Sequence, residues 1–215
     1  DIIACEDTRR TRILLDHFEI PRPQQFVSYR EQTEERSGEF LAGHLAEGRT
    51  VALCTDGGYP GISDPGYRLI RLAVEKGIEF CVIPGASSVD VALLSSGLPT
   101  SSYTFKGYPP RKPGPLARFF DDEKDKPHTL VVFESPMRVA KTLAAALEVL
   151  GDREAAVCVE LTKKFERVAR GYLGDLKSQF AGQNIRGEVT IVIAGNHPKF
   201  ARAPAASNPE EGAIP

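Results

Sequence analysis

Short apolar runs rich in β-branched residues alternate with amphipathic stretches along most of the 215-residue chain. Continuous apolar runs are typical of strands that are buried on both faces. Their alternation with helical stretches predicts a parallel sheet covered by helices. The predicted strands are "DIIAC", "FVSY", "TVALC" and "EFCVIPG" in the first half, and "TLVVFES", "AAVCVEL" and "EVTIVIAG" in the second.

Helices are predicted between these strands, where apolar residues recur at helical spacing. The first, "RRTRILLDHF", should end at the prolines of "IPRP". The third, "DPGYRLIRLAVEKG", should begin near its proline and end at Gly77. The polar stretch "KKFERVARGYLGDL" resembles a hairpin followed by a short helix. The other predicted helices are residues 33–47, "SSVDVALLSSG" and residues 136–150.

The pattern breaks at "GLPTSSYTFKGYPPRKPGP", where prolines and glycines cluster as they do at domain junctions. We therefore predict two α/β domains, residues 1–100 with a parallel sheet and residues 101–198 with a mixed sheet. Residues 199–215 are rich in Ala, Pro and Glu without periodicity, which predicts a disordered tail or a truncated extension. The chain opens directly in a strand-like run at Asp1, so we expect it to be a fragment that lacks its first segment.

Composition narrows the functional classes. The net charge of −2 disfavours indiscriminate binding to polyanions, although a local basic patch remains compatible with it. An apolar run of about twenty residues, as a membrane helix requires, is absent from the sequence. The four cysteines stand singly in strand-like runs and the four histidines are scattered, so we expect reduced core thiols and no metal site.

The most unusual loop is "TDGGYPGISDPG", which follows the strand "TVALC". Four glycines in twelve residues indicate positive φ angles or close approach of a ligand. The loop matches neither the Walker phosphate loop nor the dinucleotide fingerprint. Its acids, Asp56 and Asp64, suit a neutral or cationic ligand. An alternative for Asp64 is a structural role, in which it caps a helix that starts at Pro65.

Further unusual loops follow other predicted strands. "CEDTRR", "PGASS" and "FESPMR" lie where ligands bind in open α/β sheets, outside the carboxyl ends of the strands. "CEDTRR" is equally compatible with a surface charge cluster, and "PGASS" with a turn and helix cap. The stretch "KGYPPRKPGPLAR" contains four basic residues, one tyrosine and no acid. It fits either a nucleic-acid contact or a solvated linker.

Six motifs in this order, "ACEDTRRT", "TDGGYPGISDPGYRLI", "PGASS", "FESPMR", "ELTKKFE" and "RGEVTIVIAG", resemble the ribosomal small-subunit RNA ribose 2′-O-methyltransferases of the tetrapyrrole methylase superfamily. The resemblance runs from Asp1 to about Asn196. It implies S-adenosylmethionine-dependent methylation of a cytidine ribose in small-subunit rRNA, and two α/β domains with the cofactor in the cleft between them. It also implies a cytoplasmic homodimer whose partner is the small ribosomal subunit or its rRNA.

The resemblance assigns cofactor binding to matched positions of both domains. Family members hold the cofactor largely through backbone groups and small residues, and carry a further first strand with a Pro- and Gly-containing loop, absent here. The pair Gly58-Tyr59 also replaces what is more often a pair of small residues. The implied cofactor-binding residues are Asp56, Gly57, Gly58, Tyr59, Pro84, Gly85, Ala86, Ser87, Ser88, Phe133, Ser135, Leu161, Val189 and Thr190.

Attack by a ribose hydroxyl calls for a positioned base. The candidates are Glu6, Asp7, Glu134 and Lys163, and the sequence does not choose among them. Asp56 should serve the cofactor's ammonium group or the loop geometry, since a carboxylate held at the sulfonium would stabilise the ground state. The candidate RNA-binding residues are Arg9, Lys106, Arg111, Lys112 and Arg138. Two alternatives remain open, namely a tetrapyrrole methylase of the same superfamily and a non-catalytic RNA-binding module.

Overall fold

The computed structural model of the chain describes residues 1–203, which divide into two compact units. The first unit is Asp1–Ser87, and the second begins at Ser88. The sequence prediction places the division after residue 100. Residues 199–203 of the predicted tail include Ala201, which forms a β-bridge with Arg153, and residues 204–215 lie outside the described part.

A three-stranded parallel sheet forms the centre of the first unit, with strand order β2-β1-β3. Its apolar core joins β1 to α2 and α3 through Ile2, Leu41 and Leu69. Within residues 1–87 the elements are β1 (Ile2–Cys5), α1 (Thr8–His17), β2 (Gln25–Ser28), α2 (Glu34–Ala46), β3 (Val51–Cys54) and α3 (Tyr67–Glu75).

The prediction of a strand in "EFCVIPG" is wrong, because residues 79–85 pair with no strand. An apolar cavity of about 640 Å³ is lined both by β3 and by this segment. The side chains of Phe80, Val82 and Ile83 are more than half exposed, and the thiol of Cys81 is exposed rather than in the core. Strand propensity is realised only on pairing with a neighbour, and this segment borders the cavity beside β3 without pairing with it.

The second unit contains a five-stranded mixed sheet of order β4-β5-β8-β6-β7. Strands β4 and β5 are parallel, and the remaining pairs are antiparallel. The predicted fold class, a parallel and then a mixed α/β sheet, is therefore confirmed. The elements between residues 88 and 203 are α4 (Ser88–Ser96), β4 (Tyr103–Phe105), α5 (Pro113–Asp121), β5 (Thr129–Glu134), α6 (Val139–Leu150), β6 (Glu154–Val159), β7 (Arg167–Tyr172), α7 (Leu173–Phe180) and β8 (Val189–Ile193).

Both faces of this second sheet are buried. Successive residues of a strand point to opposite faces, and along β5 Leu130 and Val132 belong to one apolar cluster whereas Val131 belongs to the other. The first cluster includes side chains of α5, α6 and α7, and the second includes Val89 and Leu93 of α4. Helix α4 therefore belongs with the second sheet, although the sequence prediction places it in the first domain.

The stretch predicted as a domain junction contains regular structure. Strand β4 pairs with β5, and α5 begins with Pro113 in its first turn, where a missing N–H costs nothing. Neither element was predicted, because the density of Gly and Pro hides a three-residue strand and a short helix.

Among the described residues no helix is both long and apolar enough to cross a membrane. In residues 1–203 no three His, Cys, Asp or Glu side chains group as a metal site would require. All four cysteines are free thiols.

A buried carboxylate links the end of α5 to β4. Glu123, 4% exposed, lies 3.0 Å from Lys106 Nζ and 3.1 Å from Lys126 Nζ, and its other oxygen lies 3.7 Å from His128 Nε2. Burial alone raises the pKa of Glu123, but the hydrogen bonds from Lys106 and Lys126 outweigh it and hold the pKa below its usual value of 4.5. The ionised carboxylate therefore stabilises the fold at neutral pH.

We expect Glu123→Gln to lower the free energy of unfolding at pH 7 by about 1–3 kcal/mol, since charge-assisted hydrogen bonds are lost. Because the pKa in the folded state is lowered, this contribution disappears as the pH falls below 4.5 and the native carboxylate becomes protonated. Urea unfolding at several pH values measures it. Glu148→Gln, at an exposed position of α6, is the control. An unchanged difference from the wild type at acid pH would contradict this account.

Candidate functional site

Two of the predicted loops of the first unit lie at one edge of its parallel sheet. "CEDTRR" follows β1 and the glycine-rich loop (residues 55–66) follows β3, and β1 and β3 are paired in parallel. Arg10 Nη1 lies 3.1 Å from Asp56 Oδ2, which joins the two loops by an ion pair. This pairing of Asp56 has no signal in the sequence.

A tyrosine connects the glycine-rich loop to the corner formed by the "PGASS" loop (residues 84–88). The hydroxyl of Tyr59 donates to the carbonyl of Gly85 at 3.2 Å and accepts from the Gly85 N–H at 2.8 Å. Pro84, Gly85 and Ala86 are exposed, and Ser88 begins α4. The structure therefore brings Tyr59 and Gly85, two of the predicted cofactor-binding residues, together.

The glycines of this loop have two separate roles. Gly66 has a φ of 152°, and a Cβ there would lie 2.7 Å from the nitrogen of Gly61, so only glycine fits. A Cβ at Gly57 or Gly58 would meet nothing within 4 Å. The far end of the loop is therefore a tight turn, whereas its near end leaves open space above the backbone.

The residue that fixes the far end of the loop was missed. Helix α3 begins at Tyr67, and its first amides are satisfied by Glu34 of α2: Glu34 Oε1 accepts from Gly66 N at 2.8 Å and from Arg68 N at 3.2 Å. The predicted alternative, a helix that starts at Pro65 and is capped by Asp64, is not the arrangement observed. No local pattern identifies a cap that comes from another helix.

The acids of "CEDTRR" occupy different environments. Asp7 caps α1, since its Oδ1 accepts from Arg9 N at 2.9 Å, and its Oδ2 lies 2.7 Å from Arg9 Nη2. The Arg9 side chain, with its backbone N–H, holds the pKa of Asp7 well below its ordinary range. Glu6 is half-buried between β1 and α1, and its backbone oxygen accepts from Arg30 Nε. Arg9 is committed to Asp7, although its side chain is largely exposed.

In the second unit the predicted motif residues meet at one end of the sheet. Phe133 is paired with Thr190, and Val189 is paired with both Glu134 and Val159, the last residue of β6. The side chains of Leu161, Val189 and Thr190 are buried. They can therefore reach a ligand at this end only through backbone groups. The side chains of Phe133 and Ser135 are half-exposed.

Lys163 lies between two carboxylates. Its Nζ is 2.9 Å from Glu188 Oε2 and 3.0 Å from Glu160 Oε1. These contacts, that with Glu188 first, raise the pKa of Lys163 and keep it protonated. Glu160 and Thr162 have positive φ angles of 51° and 62°, conformations that concentrate at functional sites. The ion pairs of Lys163 therefore hold the strained turn at residues 160–162 next to the start of β8.

Glu134 is deeply buried, and each of its oxygens has a partner. Its Oε1 accepts from Ser135 N at 2.6 Å, and its Oε2 accepts from Thr142 Oγ1 at 2.5 Å and lies 3.3 Å from Arg138 Nη2. The side chain itself has no exposed surface. This carboxylate organises the turn that leads into α6.

The predicted RNA-binding residues of the second unit divide into those with a protein partner and those exposed to solvent. Lys106 is held by Glu123 and lies over the ring of Phe119, with Nζ 4.5 Å from the centroid. Arg111 and Lys112 are exposed, at the tip of the basic loop (residues 106–112). Arg138 has a largely buried side chain and donates to backbone oxygens of that loop. Only Arg111 and Lys112, of the predicted RNA-binding residues in this unit, present free charge to solvent.

Comparisons with known proteins identify the family of this chain. The family model described as Tetrapyrrole (Corrin/Porphyrin) Methylases matches residues 1–177. The chain is 42% identical over 199 residues to the ribosomal RNA small subunit methyltransferase I of Halalkalibacterium halodurans, covering 93% of this chain and 68% of that protein.

Several solved structures share the fold. The methyltransferase CobJ aligns with a TM-score of 0.63 at 14% identity, over 91% of this chain and 93% of its own. The uroporphyrin-III C-methyltransferase of Thermus thermophilus, in complex with S-adenosylhomocysteine, aligns with a TM-score of 0.56 at 18% identity, over 90% and 84%. The chain belongs to the tetrapyrrole (corrin/porphyrin) methylase family and, within it, to the group of the ribosomal RNA small subunit methyltransferases I.

Proposed function

We propose that this protein transfers a methyl group from S-adenosylmethionine to the 2′-hydroxyl of a cytidine ribose in small-subunit rRNA. The observation that carries the proposal is the 42% identity, over 93% of the chain, to a protein named for methylation of that RNA. The cytidine and the ribose position come from the motif resemblance. The same resemblance supports a cytoplasmic homodimer as the working form.

The loops of the first unit suit the proposed cofactor. S-adenosylmethionine supplies a methyl group on a sulfonium, and its other polar groups need backbone partners and space. Gly57 and Gly58 leave space above the chain, and the corner at Gly85 is held beside them by Tyr59. Asp56 is paired with Arg10, which favours loop geometry over binding of the ammonium group as its role. The proposed cofactor residues remain those named from the sequence.

Tyr59→Phe tests this assignment. Loss of the hydroxyl removes both hydrogen bonds to Gly85, so the corner and the glycine-rich loop should separate and cofactor affinity should fall about fivefold or more, the equivalent of roughly 1 kcal/mol or more. Calorimetric titration with S-adenosylmethionine measures the effect. Tyr67→Phe, at an exposed residue of α3, is the matched control. Equal affinities for both variants and the wild type would remove Tyr59 from the site.

We propose Glu6 as the general base. Hydroxyl attack on the methyl carbon needs the reacting atoms aligned within about 3–3.5 Å and a base within hydrogen-bond reach. Asp7 is a weakened base because its pKa is lowered, Lys163 is held protonated, and Glu134 is enclosed by its own partners. Glu6 is the predicted candidate whose carboxylate none of these contacts engages, and it lies where β1 ends.

We therefore expect Glu6→Gln to lower kcat by about 100-fold or more while the KM for S-adenosylmethionine stays within about twofold. Asp7→Asn is the informative comparison, because asparagine also caps helices and leaves Glu6 intact. It should retain most activity. Single-turnover methylation assays on both variants decide the assignment, and a larger loss in Asp7→Asn would transfer the role to Asp7.

The tetrapyrrole alternative rests on the solved structures, which are 14% and 18% identical to this chain and share its fold. The identity to the rRNA enzyme is more than twice as high and extends across both units. Substrate class therefore follows the closer resemblance. A non-catalytic RNA-binding module would need no cofactor site, whereas the loops of the first unit leave open space at Gly57 and Gly58.

The position of the methyl group can be identified chemically. The protein is incubated with radiolabelled S-adenosylmethionine and small ribosomal subunits or their rRNA, and the RNA is then hydrolysed in alkali. Alkaline cleavage uses the 2′-hydroxyl as nucleophile, so a 2′-O-methyl group protects the next phosphodiester bond. We expect label in alkali-stable dinucleotides with cytidine on the 5′ side. Label in mononucleotides would indicate base methylation, and label only in an added porphyrinogen would support the alternative.

A further inference from the structure

We propose that Arg138 is a positioning residue for RNA: it holds the basic loop (residues 106–112) so that Arg111 and Lys112 meet the phosphates of the substrate. The inference rests on the proposed RNA methylation. It differs from the sequence prediction, in which Arg138 itself contacts phosphate. The network of contacts around its guanidinium carries the argument.

The centre of the basic loop lacks backbone donors. Pro109 and Pro110 have no N–H, so the backbone of these two residues can form hydrogen bonds only through its carbonyl oxygens, while the ring of Tyr108 beside them packs against Phe133. On one side the loop is fixed by the Phe133 N–H, which donates to the carbonyl of Gly107 at 2.9 Å. On the other side, α5 begins directly after Lys112.

Arg138 supplies the donor that the two prolines require. Its Nη2 donates to the carbonyl of Pro109 at 3.1 Å and to that of Pro110 at 2.8 Å. The same nitrogen lies 3.3 Å from Glu134 Oε2, whose second contact is Thr142 of α6. Arg138 Nη2 thus links the buried Glu134 carboxylate, in the turn before α6, to the two prolines in the middle of the basic loop. With its side chain only 18% exposed, Arg138 presents little surface to a phosphate.

This arrangement fixes the two exposed charges next to it. Arg111 follows Pro110 directly, and Lys112 is the last residue before α5. A loop that is already ordered loses less conformational entropy when RNA binds, so its phosphate contacts contribute more to affinity. Removal of Arg138 should therefore weaken RNA binding through Arg111 and Lys112 rather than by loss of a contact of its own.

The attachment of the loop can be tested without RNA. Trypsin cleaves after Arg111, whereas the bond after Lys112 precedes a proline and resists cleavage. Arg138→Ala should speed cleavage after Arg111 by about tenfold or more, since proteolysis follows local opening. Arg138→Lys, which keeps a charged donor, should restore part of the protection. Lys177→Ala, at an exposed position of α7, is the control. Unchanged cleavage in Arg138→Ala overturns the proposal.

The functional consequence is tested by steady-state kinetics with a double-mutant cycle. Arg138→Ala should raise the KM for RNA about tenfold, with the KM for S-adenosylmethionine and kcat within about twofold. In a protein that already carries Arg111→Ala and Lys112→Ala, the same change should have little further effect. Additive effects would mean that Arg138 contacts RNA independently, and would overturn the positioning role.

A second variant guards against misfolding. Arg138→Ala leaves the buried carboxylate of Glu134 without its cation, which is costly. The paired change Glu134→Gln with Arg138→Met removes both charges and still removes the donor to Pro109 and Pro110, so it should reproduce the faster cleavage after Arg111. Protection equal to the wild type in this folded variant counts against the proposal. If no RNA is methylated by the wild type, the proposed function fails, while the cleavage result still reports on the attachment.

Discussion

Burial of the Glu134 carboxylate is the constraint on which the organisation of the second unit depends. A charge without solvent contact must be compensated by hydrogen bonds, and here the donors come from the next backbone amide, from α6 and from Arg138. These contacts fix the turn after β5. The turn lies at the end of the sheet where β5 and β6 end and β8 begins. The position of the basic loop follows, because Arg138 reaches it from that turn.

In the first unit, hydrogen bonds hold the glycine-rich loop in place, and fewer charged groups take part. This loop has little side-chain surface to pack, so it is held by hydrogen bonds of its own Tyr59 and of Glu34 from α2. Tyr59 joins its near end to Gly85, and Glu34 holds its far end at the start of α3. The backbone at Gly57 and Gly58 is left open, which is what a loop that binds a ligand through backbone groups requires.

The sequence predicts the elements whose signals are local. Helix α1 lies within one residue of the predicted "RRTRILLDHF", and α6 ends at the predicted residue 150, because both depend on local apolar spacing. Features that depend on distant partners were missed. Residues 79–85 border the cavity beside β3 but do not pair with it, β4 is a three-residue strand paired with β5, and Glu34 is distant in sequence from the amides it caps. The motifs predicted the family. They did not predict the contacts of their side chains, because the partners are distant in sequence.

The open edge of β3 has a consequence for handling the protein. One side of this strand is paired with β1, and the other borders the apolar cavity and the exposed side chains of residues 80–83. Strand edges with unpaired amides and carbonyls beside apolar surface are templates on which further extended chains add. In concentrated solution the first unit is therefore the part from which self-association and precipitation should start, and additives that compete for backbone hydrogen bonds should delay them.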